Sequence, residues 1–176
     1  MKVSPARLRR LLAALLWLVA VPGVAAETAT NTCKAEGPLA TARWVFEHAY
    51  HFTAQPAADA GAYLSPALLS LLQKEWACRA AGGAPCAFEG DPWIDASEGA
   101  VEDPVIFSLV ASPVERRRVA VRFRFAGEPA RAELSLVQEA ASGCWLVDDL
   151  AGRKNLSLRR RLQQRHDAAP ASPENP

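Results

Sequence analysis

The sequence predicts an α+β domain in which N-terminal helices pack on an antiparallel β-meander. Three observations carry this. Apolar residues recur at helical spacing through residues 39–54 and again through 66–76. The period then changes to two between Arg118 and Leu136. Turns bearing Gly or Pro separate the later segments at short intervals, as neighbouring strands of a meander require.

Residues 1–26 read as a secretory signal peptide. Arg7, Arg9 and Arg10 give a positive start, Leu11 to Val21 is uncharged and apolar, and Val24-Ala25-Ala26 offers small residues for cleavage after Ala26. A bilayer span needs about 20 apolar residues, so the run is too short for a stable membrane span. Cys33 lies well beyond it and follows Asn31-Thr32, which is not a lipidation sequence. Export then leaves an N-terminal extension at 27–37, one α+β domain at 38–166, and a tail at 167–176. The tail is Ala, Pro and polar residues and is expected to be disordered.

Residues 39–54 are predicted as a helix. Leu39, Ala42, Val45, Phe46, Ala49, Tyr50, Phe52 and Thr53 share one side, and Arg43, Trp44, Glu47, His48 and His51 the other. A second helix starts at Ser65-Pro66, where the Ser oxygen caps free N–H groups and Pro is tolerated at the first position. Leu68, Leu69, Leu72 and Trp76 form its stripe, and Gly82-Gly83 stop it. Residues 87–104 are irregular and acidic. Strands are predicted at Val105–Val110, Arg118–Phe125, Arg131–Glu139 and Cys144–Val147. A two-residue turn at Gly127-Glu128 pairs Val121 with Leu134, Val119 with Leu136 and Arg122 with Glu133. Ser157 is expected to cap a last short helix through Leu162.

The formal charge of +1 hides an uneven layout. Residues 27–112 carry 4 cations and 11 acids, whereas residues 113–176 carry 12 cations and 8 acids. A uniformly basic nucleic-acid binder and a disordered acidic chain are both excluded. A polytopic membrane protein is excluded because only one long apolar run exists. Four cysteines follow the signal, an even number that suits disulfides in an exported chain and allows three connectivities. Cys78 and Cys86 flank the Gly82-Gly83-Ala84-Pro85 turn, which favours their pairing and leaves Cys33 for Cys144.

Four segments occur in a familiar order. They are Tyr50-His51-Phe52, Tyr63-Leu64-Ser65-Pro66 with Leu68-Leu69, Gly90-Asp91-Pro92-Trp93-Ile94-Asp95, and Cys144-Trp145-Leu146-Val147-Asp148-Asp149-Leu150. In these the chain resembles the nuclear transport factor 2-like superfamily over about residues 39–162. More narrowly it resembles the bacterial envelope branch called domain of unknown function family 3828. The resemblance implies a cone of helices on a curved sheet and a periplasmic location. It implies no reaction, because one frame in that superfamily serves enzymes, carriers and scaffolds.

Candidate ligand-binding residues are Asp91, Trp93, Asp95 and Asp149. Six acids crowd residues 89–103 without a cation. A calcium loop starting at Asp91 would match at Asp95 and Glu102. It fails at Trp93, which has no oxygen ligand, and at Ala96, where the turn needs Gly. No metal and no cofactor are expected. Alternation from Trp145 and Val147 points Asp149 toward the helix-covered side of the sheet and Asp148 away from it. His48 and His51 lack a third ligand and read as part of a solvated face. Arg118, Arg122 and Arg124 share the strand face away from the core and are the candidate partner-binding residues.

These features predict a non-catalytic binding or protein-interaction module of the bacterial envelope, with an immunity-type protein as a close variant. The alternative is a small hydrolase or isomerase using a pocket carboxylate such as Asp149 or Asp91. The expected partner is an envelope protein or a small ligand and not nucleic acid. The chain is expected as a monomer or homodimer.

Overall fold

A computed structural model describes residues 33–82 and 86–168. The signal expected at 1–26, its cleavage after Ala26, residues 27–32, Gly83 to Pro85 and residues 169–176 lie outside the described residues. Helix α1 spans Pro38–His48. Its Pro sits where no N–H is needed, and Thr41 Oγ1 donates to the Gly37 carbonyl at 2.9 Å. The helix stops at His48 and not near residue 54. Ala49 leaves the helical region at φ −129°, and turns closed by Phe52 N–H to Ala49 O and Ala54 N–H to His51 O follow. Phe52 and Thr53 are nonetheless buried, which is why the apolar period ran past the true helix end.

Helix α2 spans Pro66–Ala80, with Ser65 Oγ accepting from Leu68 N–H at 3.1 Å. Leu68, Leu72 and Trp76 form its buried stripe. Its Glu75 is fully buried as well. One Glu75 oxygen accepts Arg79 Nε at 3.0 Å and the other accepts Ala87 N–H at 2.9 Å. Arg79 also reaches the Phe88 carbonyl at 3.1 Å. The buried carboxylate therefore ties the segment after the turn back onto the helix.

Four strands follow: β1 Glu102–Val110, β2 Arg116–Phe125, β3 Glu128–Gln138 and β4 Trp145–Ala151. They form one antiparallel sheet in the order β1-β2-β3-β4. Helix α3, Leu158–Ala168, closes the described chain, so it runs past the expected end at Leu162. With three α-helices among the described residues and this sheet the domain is α+β.

The β2–β3 register differs from the expected one by two residues. Val119 faces Leu134, Val121 faces Ala132 and Arg122 faces Arg131. The tight turn is Ala126-Gly127, with φ +52° and +78°, and not Gly127-Glu128. Positive φ at both central residues is what a two-residue hairpin with native twist requires. A shift of two keeps every side chain on its predicted face, so the core is unaffected. Pro129 fits inside β3 because an N–H there points away from β2, and β4 pairs with β3 only from Glu133 onward.

One sheet face is filled. Val119, Val121, Phe123, Leu134, Leu136, Val147 and Leu150 pack with Ala42, Val45, Leu68, Leu72, Leu158 and Leu162. Each fully buried Leu or Val contributes roughly 1.5–3 kcal/mol. The β4 edge is covered. Leu64 bridges Val147, with Ser65 N–H to Val147 O and Val147 N–H to Tyr63 O both at 2.8 Å, and Ala151 bridges Ser157. Among the described residues no strand pairs with the outer edge of β1. Cys33 is disulfide-bonded to Cys144 and Cys78 to Cys86, the favoured pairing. No helix among the described residues is long and apolar enough to cross a membrane.

Candidate functional site

Asp91, Trp93 and Asp95 lie on one tight loop whose polar groups face the fold. Gly90 has φ +78°, and a Cβ there would lie 2.3 Å from the Ala96 carbonyl oxygen. That approach lets Asp91 N–H bond Ala96 O at 2.8 Å. Asp91 Oδ1 accepts from Trp93 N–H at 2.8 Å, the usual Asx turn ahead of Pro, and Oδ2 accepts from the Tyr50 hydroxyl at 2.5 Å. Trp93 is fully buried, stacks on Tyr50 with ring centroids 5.4 Å apart, and donates its indole N–H to the Tyr50 carbonyl at 3.1 Å. Phe46 packs edge-on against both rings.

Asp95 completes the docking. Its Oδ2 accepts from Lys154 N–H at 2.8 Å, and its Oδ1 lies 3.2 Å from an Arg161 guanidinium nitrogen. That contact is close enough for attraction between charges but misaligned for a hydrogen bond, since neither atom has a hydrogen-bond partner. Gly152 admits the loop: a Cβ there would lie 2.1 Å from the Pro92 carbonyl oxygen. Arg153 then donates from its backbone to Trp93 O and from Nε to Ile94 O, each at 3.0 Å. The candidate ligand residues thus meet, but their polar atoms bind backbone and neighbouring side chains. Among the described residues no three of His, Cys, Asp and Glu converge.

This packing has a pH signature. Burial, the bond to Asp91 and the Asp91 charge, in that order, raise the Tyr50 pKa far above its ordinary value. Burial and then the charge of Asp59 raise Tyr63. A raised folded-state pKa gives stability that is fully present below the unfolded value of about 10 and is lost as pH rises above it. These are the only two tyrosines in the sequence. Phenolate absorbance is therefore expected to stay low through about pH 10 and to rise together with alkaline unfolding. A smooth ionisation centred near 10 with native circular dichroism would contradict this packing.

The two aspartates of β4 exchange the roles that alternation assigned to them. The β3–β4 register shifts between Ser135 and Leu136, where the partner moves from Asp149 to Val147. The bulge adds one residue to β4 and reverses the parity after it. Asp149 faces Ser135 and does not point toward the helix-covered side. It organises the start of α3: Oδ1 accepts from Leu150 and Arg159 N–H at 2.9 Å each, and Oδ2 accepts from Ser157 Oγ at 2.6 Å. Asp148 is the buried one, 3 % exposed. It accepts from Ser65 Oγ at 2.8 Å and pairs with Arg159 at 2.5 Å and Arg116 at 3.2 Å. It thereby joins the start of α2, the start of α3 and the sheet.

His48 and His51 are not on one helix, because α1 ends at His48. His48 stacks on Trp44, with centroids 5.2 Å apart.

The arginine face is the most cationic part of the sheet, and most of its guanidinium groups are partnered within the domain. Arg118, Arg122 and Arg124 alternate to the face opposite the core. Arg122 does not meet Glu133: Arg131 stands opposite it, and among the described residues Arg122 has no carboxylate within ion-pair distance. Glu133 is held by Arg118 at 3.1 Å and Arg131 at 2.6 Å. Arg124 donates to the Gly127 carbonyl within the hairpin. Two surface concavities of about 360 and 480 Å³ share Arg131 and Arg153. Arg118 and Glu133 line the first, and Arg122, Phe125 and Glu128 the second. The Arg153 guanidinium lies 4.8 Å above the Phe125 ring. Sequence reasoning did not select Arg153, which comes from the turn after β4. Its only local signal is the preceding Gly152, a residue that permits close packing. Exposed Arg–Glu pairs contribute about 0–1 kcal/mol, and like charges placed opposite each other oppose folding. Stability therefore does not explain this concentration of arginines. No known family model matches the chain, and neither a curated protein nor a solved structure is similar to it at a significant level.

Proposed function

We propose that the protein is an exported, periplasmic, non-catalytic interaction module of the bacterial envelope, built on a nuclear transport factor 2-like cone as in domain of unknown function family 3828. Its docking surface is the arginine face, and its partner is a protein presenting carboxylates. An immunity-type role, in which the partner is a toxin, is the closest specific form. The observation that carries this reading is the Arg122–Arg131 pair. Two cations face each other, and the nearby carboxylate, Glu133, pairs with Arg131 and Arg118 but not with Arg122, an arrangement that an acidic partner would relieve. The hydrogen-bonded oxygens of Asp91 and Asp149, the Lys154 bond and Arg161 ion pair of Asp95, and the filled inner face of the sheet support binding over catalysis. Asp149 lines neither concavity of the arginine face.

The test is crosslinking and pull-down from envelope extracts with an Arg122→Glu/Arg124→Glu variant as control. Reversing two exposed charges is expected to reduce recovery of a specific partner at least about tenfold, roughly 1.4 kcal/mol, with the melting temperature little changed. Recovery should also fall with added salt. Equal recovery by the variant would reject the arginine face as the docking surface.

A further inference from the structure

At the end of α1 lies a surface groove of about 490 Å³ with the opposite character. Trp44, Tyr63, Glu47, Asp59, His48 and His51 are among its walls, and among the described residues no Lys or Arg lines it. Aromatic faces carry negative charge density, so rings and carboxylates together favour a cation. One cation is already at its boundary. The Lys34 ammonium lies 5.2 Å over the Trp44 ring and 2.8 Å from Asp59 Oδ2. The bond from Lys34 holds the Asp59 carboxyl below its usual range. His48 completes this wall, with its Nδ1 donating to the Trp44 carbonyl at 3.1 Å. Lys34 follows Cys33, whose bond to Cys144 fixes where that side chain starts.

We propose that this groove binds an alkylammonium or guanidinium group, such as a lysine or arginine side chain of a ligand, and that Lys34 competes for it in cis. The site is independent of the arginine face, since no residue of β2 or β3 lines it. A tethered side chain that holds the same aromatic and carboxylate groups lowers apparent affinity by the fraction of time it is bound. Removing it should expose the intrinsic affinity.

The experiment titrates the protein with Nα-acetyl-lysine methylamide, Nα-acetyl-arginine methylamide and the neutral Nα-acetyl-norleucine methylamide. Binding is followed by NMR of the Trp44 indole N–H. The two cations are expected to bind Lys34→Ala about tenfold more tightly than the parent chain. Adding Asp59→Asn to that variant should remove most of the gain, and norleucine should bind neither form. Backbone spectra of each variant establish that the fold is retained. Unchanged cation affinity in Lys34→Ala, or norleucine binding as well as lysine, would overturn the proposal. Tight cation binding that ignores Asp59→Asn would also overturn it.

Discussion

Replacing Cys33 and Cys144 with serine is expected to lower the unfolding free energy by about 5 kcal/mol, the loop-entropy value for a closure of this length. The bridge spans a sequence separation of 111 residues, whereas Cys78–Cys86 spans 8, for which the same model gives about 2.5 kcal/mol. Domains of this size are commonly stable by only about 5–15 kcal/mol, so loss of the long bridge approaches the whole margin. Urea unfolding of the two double-serine variants and the parent chain measures both effects. A loss for the long bridge no greater than for the short one would mean that its constraint on the unfolded chain is not what stabilises the fold. The Lys34 contact with Asp59 should weaken in the same variant, because the bridge anchors the residue before it.

Asp148→Ala is expected to cost about 3 kcal/mol, the lower end for breaking a buried ion pair. It lies at the lower end because the stranded partners keep solvent access: the Arg159 side chain is 28 % exposed and that of Arg116 is 53 % exposed. The loss still removes the side chain that links Ser65, at the start of α2, to Arg159 of α3 and Arg116 of β2. Asp149→Ala, which loses helix-start bonds, is expected to cost only about 1 kcal/mol. Thermal and urea melts of the two variants test the ranking. If Asp149→Ala were the more damaging change, the bulge in β4 would be in the wrong place.

That ranking shows where sequence reading reached its limit. Alternation is a local rule, and one inserted residue reverses it without any mark in the composition. Asp148-Asp149 looks the same in a straight strand and in a bulged one. The hairpin failed in a milder way. Gly127-Glu128-Pro129 advertised a turn, but Ala126 adopts positive φ although it is not glycine, and the turn moved back by one residue. The core survived because the register error was even. The first helix was overextended because Phe52 and Thr53 are buried from turns, and burial pattern alone does not distinguish a turn from one more helical step. Features fixed by local chemistry were legible: the Ser65 cap, the Asp91-Pro92 turn, the Ser157 start of α3 and the short Cys78–Cys86 pairing. Apart from Cys33–Cys144, which followed as the remainder once Cys78 and Cys86 were paired, distant contacts were not. Nothing in the sequence indicated that Tyr50 would hold Asp91, that Arg153 would join the arginine face, or that Lys34 would reach Trp44.

The unequal edges of the sheet limit how copies of this domain can associate. Leu64 and Ser157 occupy the β4 side, while among the described residues no strand pairs with the outer edge of β1, whose Ile106 and Leu109 are 48 % and 57 % exposed. Endless edge-to-edge growth needs two free edges on every copy, one to accept and one to offer. Among the described residues this sheet has one. Pairing through β1 would join two sheets about a twofold axis and then stop, because each copy would have spent its only open edge. Among the described residues, strand addition through β1 would therefore stop at two copies, since the covered β4 side offers no second edge.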